Sequence, residues 1–563
     1  MEDTLQLNLD RHLLAFDTRK VPHYRFDLVV VGSGAAGGFA ALAAADAGAQ
    51  VAVIGKGQLS DGNTRWAKGG MATVLDPRDT FHLHVEDTLE VGCGISDYEV
   101  VRRVVEAGPQ ALERLVAMGA AFDRNDDGGF ALSKEGGHSA PRIVHARGDS
   151  TGVEIQERIR ESLEEHPRIT LFAQHFAIDL LSNAEQRVVG VLCRNDRGDR
   201  VALMGQEVIL ATGGAGQIYR ETTNPVLATG DGLAMGLRAG ARVRDLEFTQ
   251  FHPTCLYIAG AARVLISEIV RGAGGLLRDK AGERFMPAFH PDAELAPRDV
   301  VSRAVFQRMV ATQDTSVYLD LSEVERDPHQ AFPTISRICA FFGINIAKDP
   351  IPVRPGMHYM VGGLAVDRDG QTNVAGLRAV GECASTGLHG ANRMGSNSLL
   401  EALVLGDHCG REASSSALRE QHDIRPLGPA GRRGQAPSEV QLNVDDLTYS
   451  LKSMMWRQMG VERNASDLEG AVESLAFWTN ATRGQAIDSP RFWELQNMLL
   501  VARLATFSAL QREESRGVHF RHDYPKLDPA WAAHSELTPS LVDSTVAQVQ
   551  LARIPVHSPT KVS

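Results

Sequence analysis

Apolar residues come in short, nearly unbroken runs toward the start of the chain, beginning with FDLVVV at 26–31. Such a run predicts a buried strand. It ends in GSGAAG at 32–37, and a stretch of small residues with helical character follows at once. A second run, VAVI at 51–54, predicts the next strand. Between 25 and about 240, short β-rich runs mix with helices, as at 188–193 and then 208–211. Residues 241–354 carry their own punctuation, including FHPT at 251–254 and RGAGG at 271–275. Hairpin and strand character returns over 362–381, with DRDG at 367–370 as a turn. A Pro/Gly/Arg-rich stretch at 421–440 reads as a linker. Beyond it, 444–460 and 492–516 show helical spacing, as in Leu499, Ala502, Leu504 and Phe507. Residues 1–24 read as a polar extension, and the last thirty or so as a polar, Pro-interrupted and poorly ordered tail.

The strand, glycine turn and helix at 26–38 form the context that a dinucleotide fingerprint requires. Its glycines allow a tight turn and close approach to a pyrophosphate, while the helix N-terminus supplies donors and partial positive charge. A lone GxGxxG is a weak signal, but here both flanks match. An acidic ribose-binding residue is expected just after the second strand. The chain has GKG at 55–57 instead. Lys56 could reach a phosphate or ribose oxygen, but an NAD-type carboxylate is missing, which points toward a flavoprotein.

Size and charge narrow the class further. With 563 residues, 43% of them apolar, the chain can bury a large core in more than one domain. A net charge of −12 disfavours a nucleic-acid-binding surface, although local basic clusters remain compatible with a cationic pocket. No apolar run is long enough to span a bilayer, and acidic and basic residues interrupt the first seventeen positions, against a secretory signal. The six cysteines are scattered without a CxxC pair, so no zinc or iron–sulfur site is expected, and a reduced, cytoplasmic setting fits.

Several further motifs could carry chemistry. NTRWAKGG at 63–70 is a polar loop ending in paired glycines, able to lie against a flat ring or to be an ordinary surface loop. Thr212-Gly213-Gly214 and Gly230-Asp231-Gly232 are further points of close approach. Glu382 follows a strand and is placed to accept from ribose hydroxyls, or to stand in a solvated loop. Ser398 and Glu401 are spaced as a capping box at a helix start. Arg298 follows Pro297, which is favoured at a first helical position, so Arg298 falls in the first turn, where the helix dipole opposes a cation. Arg393 lies in a loop, His252 stands between Phe251 and Pro253, and His358 follows Met357. Alone, each histidine reads as structural. As a group, two arginines with fork geometry and two histidines suggest a clamp for a dicarboxylate. Glu135 adds an acid within a glycine loop.

Together these motifs carry a resemblance. VVVGSGAAGG, NTRWAKGG, EGGHSAPRIVHARGDSTG, ATGGAGQIY, GDGLAM, EFTQFHPT, ELAPRDVVSRA, HYMVGGLAVD, GECASTGLHGANRMGSNSLLEALV and ESRGVHFRHDYP closely resemble the L-aspartate oxidase family, within the succinate dehydrogenase/fumarate reductase flavoprotein superfamily. The resemblance runs from about 25 to about 530. It implies an α/β Rossmann-like FAD-binding domain (1–240 and 355–420), an inserted α+β capping domain (241–354) and a C-terminal helical domain (440–530). It implies FAD contacts at Ser33, Gly34, Ala35, Ala36, Lys56, Asn63, Thr64, Arg65, Trp66, Ala67, Lys68, Gly69, Gly70, Phe176, Ala177, Asp231, Glu382, Ser398 and Leu399. Arg298 is implied as the proton-transfer residue, with His252, His358 and Arg393 on the dicarboxylate. Glu135 corresponds to the acid that orients the substrate amine, and Ser267 stands where the family usually has threonine. Covalent-flavin relatives carry histidine where this chain has Asn63, so the FAD is expected to be non-covalent.

The implied activity is oxidation of L-aspartate to iminoaspartate, with O2 or fumarate as acceptor, in the first step of de novo NAD synthesis. Quinolinate synthase is the logical receiver of the product. A fumarate reductase-like enzyme is the alternative, against which Glu135 weighs, since such an enzyme has no ammonium to meet. A flavin-binding scaffold is a third reading, for which a dicarboxylate clamp would have no use. One difficulty is that a guanidinium is normally always protonated, so Arg298 needs a relay that the motifs do not reveal.

Overall fold

The computed structural model describes residues 3–260, 263–427, 442–483, 485 and 487–556. At its centre is a five-stranded parallel sheet in the order Leu377–Ala379, Glu207–Leu210, Leu28–Val31, Val51–Ile54, Ile169–Phe172. Leu28–Val31 lies in the middle and is buried along its whole length, which is why it reads as a continuous apolar run rather than an alternating one. The helix Ala35–Asp46 leaves the fingerprint turn and packs against the long helix Asn397–Arg419. Gly410 lets the two backbones meet, because a Cβ there would stand 2.1 Å from the Ala40 carbonyl oxygen. Placing the second helix start beside the fingerprint depends on that contact.

A separate five-stranded antiparallel sheet runs Val264–Leu265, Thr249–Leu256, Ile351–Met360, Val317–Asp320, Leu276–Arg278. It has its own apolar core, drawn from residues 256–353 and including Ile266, Leu277, Val305 and Ile351. Phe251, Met357 and Met360, at the base of its two longest strands, belong instead to the main core. This unit is thus rooted in the main core through those two strands. The helices Val444–Gln458, Ala465–Thr482 and Pro490–Gln511 pack together on the other flank.

Three expectations need correction. The first residues are not an extension: Thr4–Asp10 forms a strand paired with Thr545–Pro555. The described part of the C-terminal stretch is not a loose tail, since Ala533–Val542 and Thr545–Pro555 form a hairpin in a six-stranded sheet that also takes in Val243–Arg244 and Gly363–Ala365. In Thr4–Asp10, Leu5 and Leu7 face the core while Gln6 and Asn8 between them point to solvent, the alternation of a half-buried strand. Nor is there a capping box at Ser398. The helix starts at Asn397 with Ser396 as its N-cap residue, and Glu401 accepts from Thr386 and bonds His389 instead. Of the stretch read as a linker, residues 428–440 lie outside the described residues.

Candidate active site

One long cleft runs from the fingerprint turn, past the 63–70 loop, to the base of the antiparallel sheet. It encloses about 1760 Å³ of empty space, its mouth included.

At one end the backbone forms the cradle. Gly32 has φ +117°, and a Cβ on it would lie 2.1 Å from the Ala211 carbonyl oxygen, so only glycine fits between the two strand ends. Ser33, Gly34, Ala35 and Ala36 line the cleft there, and Thr64 Oγ1 accepts from the Ala35 amide at 2.9 Å. Lys56, Asn63, Thr64, Trp66, Ala67, Lys68, Gly69, Gly70, Ala177, Asp231, Glu382, Ser398 and Leu399 also line it. Arg65 is exposed and does not, and Phe176 is buried one layer behind Lys56, whose Nζ stands 5.3 Å from its ring centroid. Asn63 donates to Glu382 Oε2 at 2.9 Å, while its Oδ1 is buried without a partner.

At the other end a cationic pocket forms. Adjacent strands Thr249–Leu256 and Ile351–Met360 bring His252 and His358 together, with ring centroids 5.4 Å apart. Burial lowers both histidine pKa values well below the ordinary range, and Arg298 and Arg393 lower them further, so both rings are neutral. His358 Nδ1 pairs with Thr223 Oγ1 at 3.0 Å, whereas His252 Nε2 is buried and unpaired. Arg393 lies over the Tyr359 ring at 5.0 Å and gives one nitrogen to Ser398, leaving Nε and Nη1 unpaired. Burial first, then Arg298, depresses its pKa to about 10. Gln250, fully buried, ties the two arginines together: it donates to the Arg393 carbonyl at 2.6 Å and accepts from Arg298 Nη1 at 3.4 Å. Buried, unpaired donors facing one space are what a bound dianion would satisfy.

Arg298 is the first residue of the helix Arg298–Thr312, with Pro297 as N-cap. Its Nε donates to Glu268 Oε2 at 2.7 Å, and Glu268 in turn meets Arg271 at 3.3 Å. Burial works against the Glu268 charge, but Arg298 and Arg271 outweigh it and its pKa lies below the ordinary carboxylate value. Sequence reasoning passed over Glu268, although it adjoins Ser267, which lines the cleft. Its charge partners come from 3 and 30 positions along the chain, so no local pattern marks it.

Glu135 does not line the cleft itself; it sits just behind Gly69 and Ser396. Ser396 donates to its Oε2 at 2.9 Å, Arg298 Nη2 is 3.9 Å away, and Oε1 is buried without a partner. Burial raises the Glu135 pKa and the neighbouring Glu268 raises it again. Ser396 holds a left-handed backbone (φ +63°), uncommon for a non-glycine residue, and thereby aims its hydroxyl at both Glu135 and the Gly70 amide. It too went unread in the sequence.

The Gly32 cradle, the helix start beside it and the orphaned Asn63 oxygen fit FAD at one end, and the unpaired cationic donors fit a dicarboxylate at the other. Fold and cleft together define a flavoprotein oxidoreductase. Residues 27–399 match the family described as FAD binding domain, and 448–561 the one described as fumarate reductase flavoprotein C-term. L-aspartate oxidase 1 of Ralstonia nicotianae is 44% identical over 521 residues, covering 90% of this chain and 96% of that protein. The L-aspartate oxidase of Streptomyces coelicolor is 41% identical over 529 residues, covering 90% of each. The chloroplastic L-aspartate oxidase of Arabidopsis thaliana is 39% identical over 553 residues, covering 92% and 84%. A variant of E. coli quinol fumarate reductase superposes with a TM-score of 0.88 at 31% identity, over 96% of this chain and 98% of that one. The chain belongs to the L-aspartate oxidase family, within the succinate dehydrogenase/fumarate reductase flavoprotein superfamily.

Proposed function

We propose that the cleft oxidises L-aspartate to iminoaspartate, the first step of de novo NAD biosynthesis, with O2 (giving hydrogen peroxide) or fumarate taking the electrons. The observation that carries this reading is Glu135, a buried carboxyl with one unpaired oxygen, held behind Gly69 and Ser396 at the pocket where Arg298 and Arg393 also gather.

Arg393 and His252 present unpaired donors to the substrate carboxylates, and neutral His358 flanks them. The substrate ammonium lies on the Gly69–Ser396 side of the pocket, behind which Glu135 is held, and its positive charge favours the carboxylate against the burial that raises its pKa. When fumarate enters instead, no ammonium arrives, and burial with Glu268 nearby favours the uncharged acid, which eases repulsion of the dianion. One pocket can therefore serve both an amino acid and its unsaturated acceptor. FAD, when bound, would supply the hydride-accepting chemistry. Ser33–Ala36, the 63–70 loop, Asp231, Glu382 and the Ser398–Leu399 helix start would hold it, without a covalent link at Asn63. Arg298 gives a proton to the fumarate carbon, and the Glu268 carboxylate, set between Arg298 and Arg271, passes on a proton received from the Arg271 side to restore the guanidinium. The Glu268 carboxylate, 2.7 Å from Arg298 Nε, supports such a relay.

No helix among the described residues is long and apolar enough to cross a membrane. A cytoplasmic setting and delivery of iminoaspartate to quinolinate synthase go with the proposed pathway.

Anaerobic mixing tests the reading. L-aspartate should bleach the yellow holoenzyme while succinate does so poorly; bleaching by succinate and none by aspartate would favour the fumarate reductase-like alternative.

A further inference from the structure

The acidic residue expected after the second strand, to accept from the adenosine ribose, is absent, and Lys56 stands there. The structure shows that this lysine has no proton to spare. Its Nζ donates to Thr229 Oγ1 at 2.7 Å and Asp231 Oδ2 at 2.8 Å, meets Glu494 Oε1 at 2.5 Å, and lies 3.2 Å from the Leu227 carbonyl oxygen. Two carboxylates thus gather at the end of the cleft where adenosine belongs, brought from distant parts of the chain. Asp231 opens the helix Asp231–Ala239 and lines the cleft. Glu494 comes from the C-terminal helix Pro490–Gln511.

The same helix touches this end twice more. Asn497, fully buried, donates to Asp231 Oδ1 at 2.7 Å and accepts from Arg238 at 2.7 Å. Trp493 packs on Phe176, with ring centroids 5.5 Å apart. Residues 493, 494 and 497 share one face of that helix.

We propose that the C-terminal helix backs the adenosine site, behind the residues that line it. Glu494 and Asn497 are positioning residues: they fix Lys56 and Asp231 so that the Asp231 carboxylate replaces the missing ribose acceptor. Glu494 holds the ammonium of Lys56 away from the ribose, and Asn497 occupies the Asp231 oxygen that faces away from Lys56. The helical segment therefore governs cofactor retention, not substrate chemistry. The inference rests on FAD as occupant of the cleft.

The test uses apoprotein stripped of flavin and titrated with FAD by fluorescence quenching, with ADP as a competitor that carries the adenosine half alone. Glu494→Gln should weaken FAD and ADP alike by about tenfold (~1.4 kcal/mol). Free riboflavin binding, the apoprotein Tm and the KM for L-aspartate at saturating FAD should not change. Lys56→Met should weaken binding too, and the double variant should lose less than the sum of the two. Wild-type affinity for FAD and ADP in Glu494→Gln would overturn the proposal, as would equal weakening of riboflavin. Should Asn497→Ala fail to fold, the partly exposed Glu494 still decides the matter. Wild-type protein that bound no FAD at all would overturn the flavoprotein reading instead.

Discussion

Arg298 and Glu268 come from different elements of the inserted unit and meet at 2.7 Å, guanidinium nitrogen to carboxylate oxygen, beneath the dicarboxylate pocket. The pair is buried, and Arg271 meets Glu268 as well. In the proposed mechanism this carboxylate is the route by which Arg298 recovers its proton.

Glu268→Gln keeps the shape and a hydrogen bond but cannot carry the proton. It should lower kcat by about 10²–10⁴-fold, the usual worth of a positioned acid or base. Flavin absorbance should stay at wild-type level. Arg298→Leu should leave no measurable turnover with FAD still bound. Stopped-flow reduction and reoxidation, each followed at the flavin band, check both.

Glu135→Gln separates the two half-reactions. Aspartate oxidation should fall far more than fumarate reduction, because only the first brings an ammonium to position 135. Equal loss in both directions, measured under anaerobic conditions, would remove the ammonium role.

Histidine titration should be invisible in the activity profile. Burial and the flanking arginines hold the His252 and His358 pKa values well below 6.5, so both rings are neutral on either side of that pH. The kcat/KM profile for L-aspartate should therefore show no limb near pH 6.5. A limb there that disappears in His358→Asn would place an imidazolium in the pocket.

His534, on the C-terminal hairpin, bonds Asp245 at 2.6 Å. Burial alone would lower its pKa, but Asp245 outweighs it and lifts the value to about 9. The folded state then binds this proton more tightly than the unfolded chain, where histidine titrates near 6.5. Its contribution to stability is complete below about pH 6.5 and fades as the pH rises toward 9. Urea midpoints should fall across that window in wild type and much less in His534→Gln.

Acid precipitation should release all of the FAD into the supernatant, since Asn63 offers no side-chain nucleophile where covalent relatives carry histidine. Flavin retained in the pellet would contradict this.

The chemistry of the cleft was legible in the chain because its parts are local signals. The glycine turn after a buried run, the 63–70 loop and the motifs holding His252, Arg298, His358 and Arg393 each announce themselves within a dozen residues. Short-range order follows from neighbours in the chain, and so do the strand runs of the parallel sheet. Other features come only from folding. Glu268 gains its meaning from Arg298, thirty positions away, and Ser396 from a backbone twist that no composition foretells. The terminal strands pair across more than five hundred residues and look like tails until they meet. The acid near the adenosine end arrives on helices 175 and 438 positions beyond Lys56, because ion pairs select partners by distance in space and ignore distance along the chain.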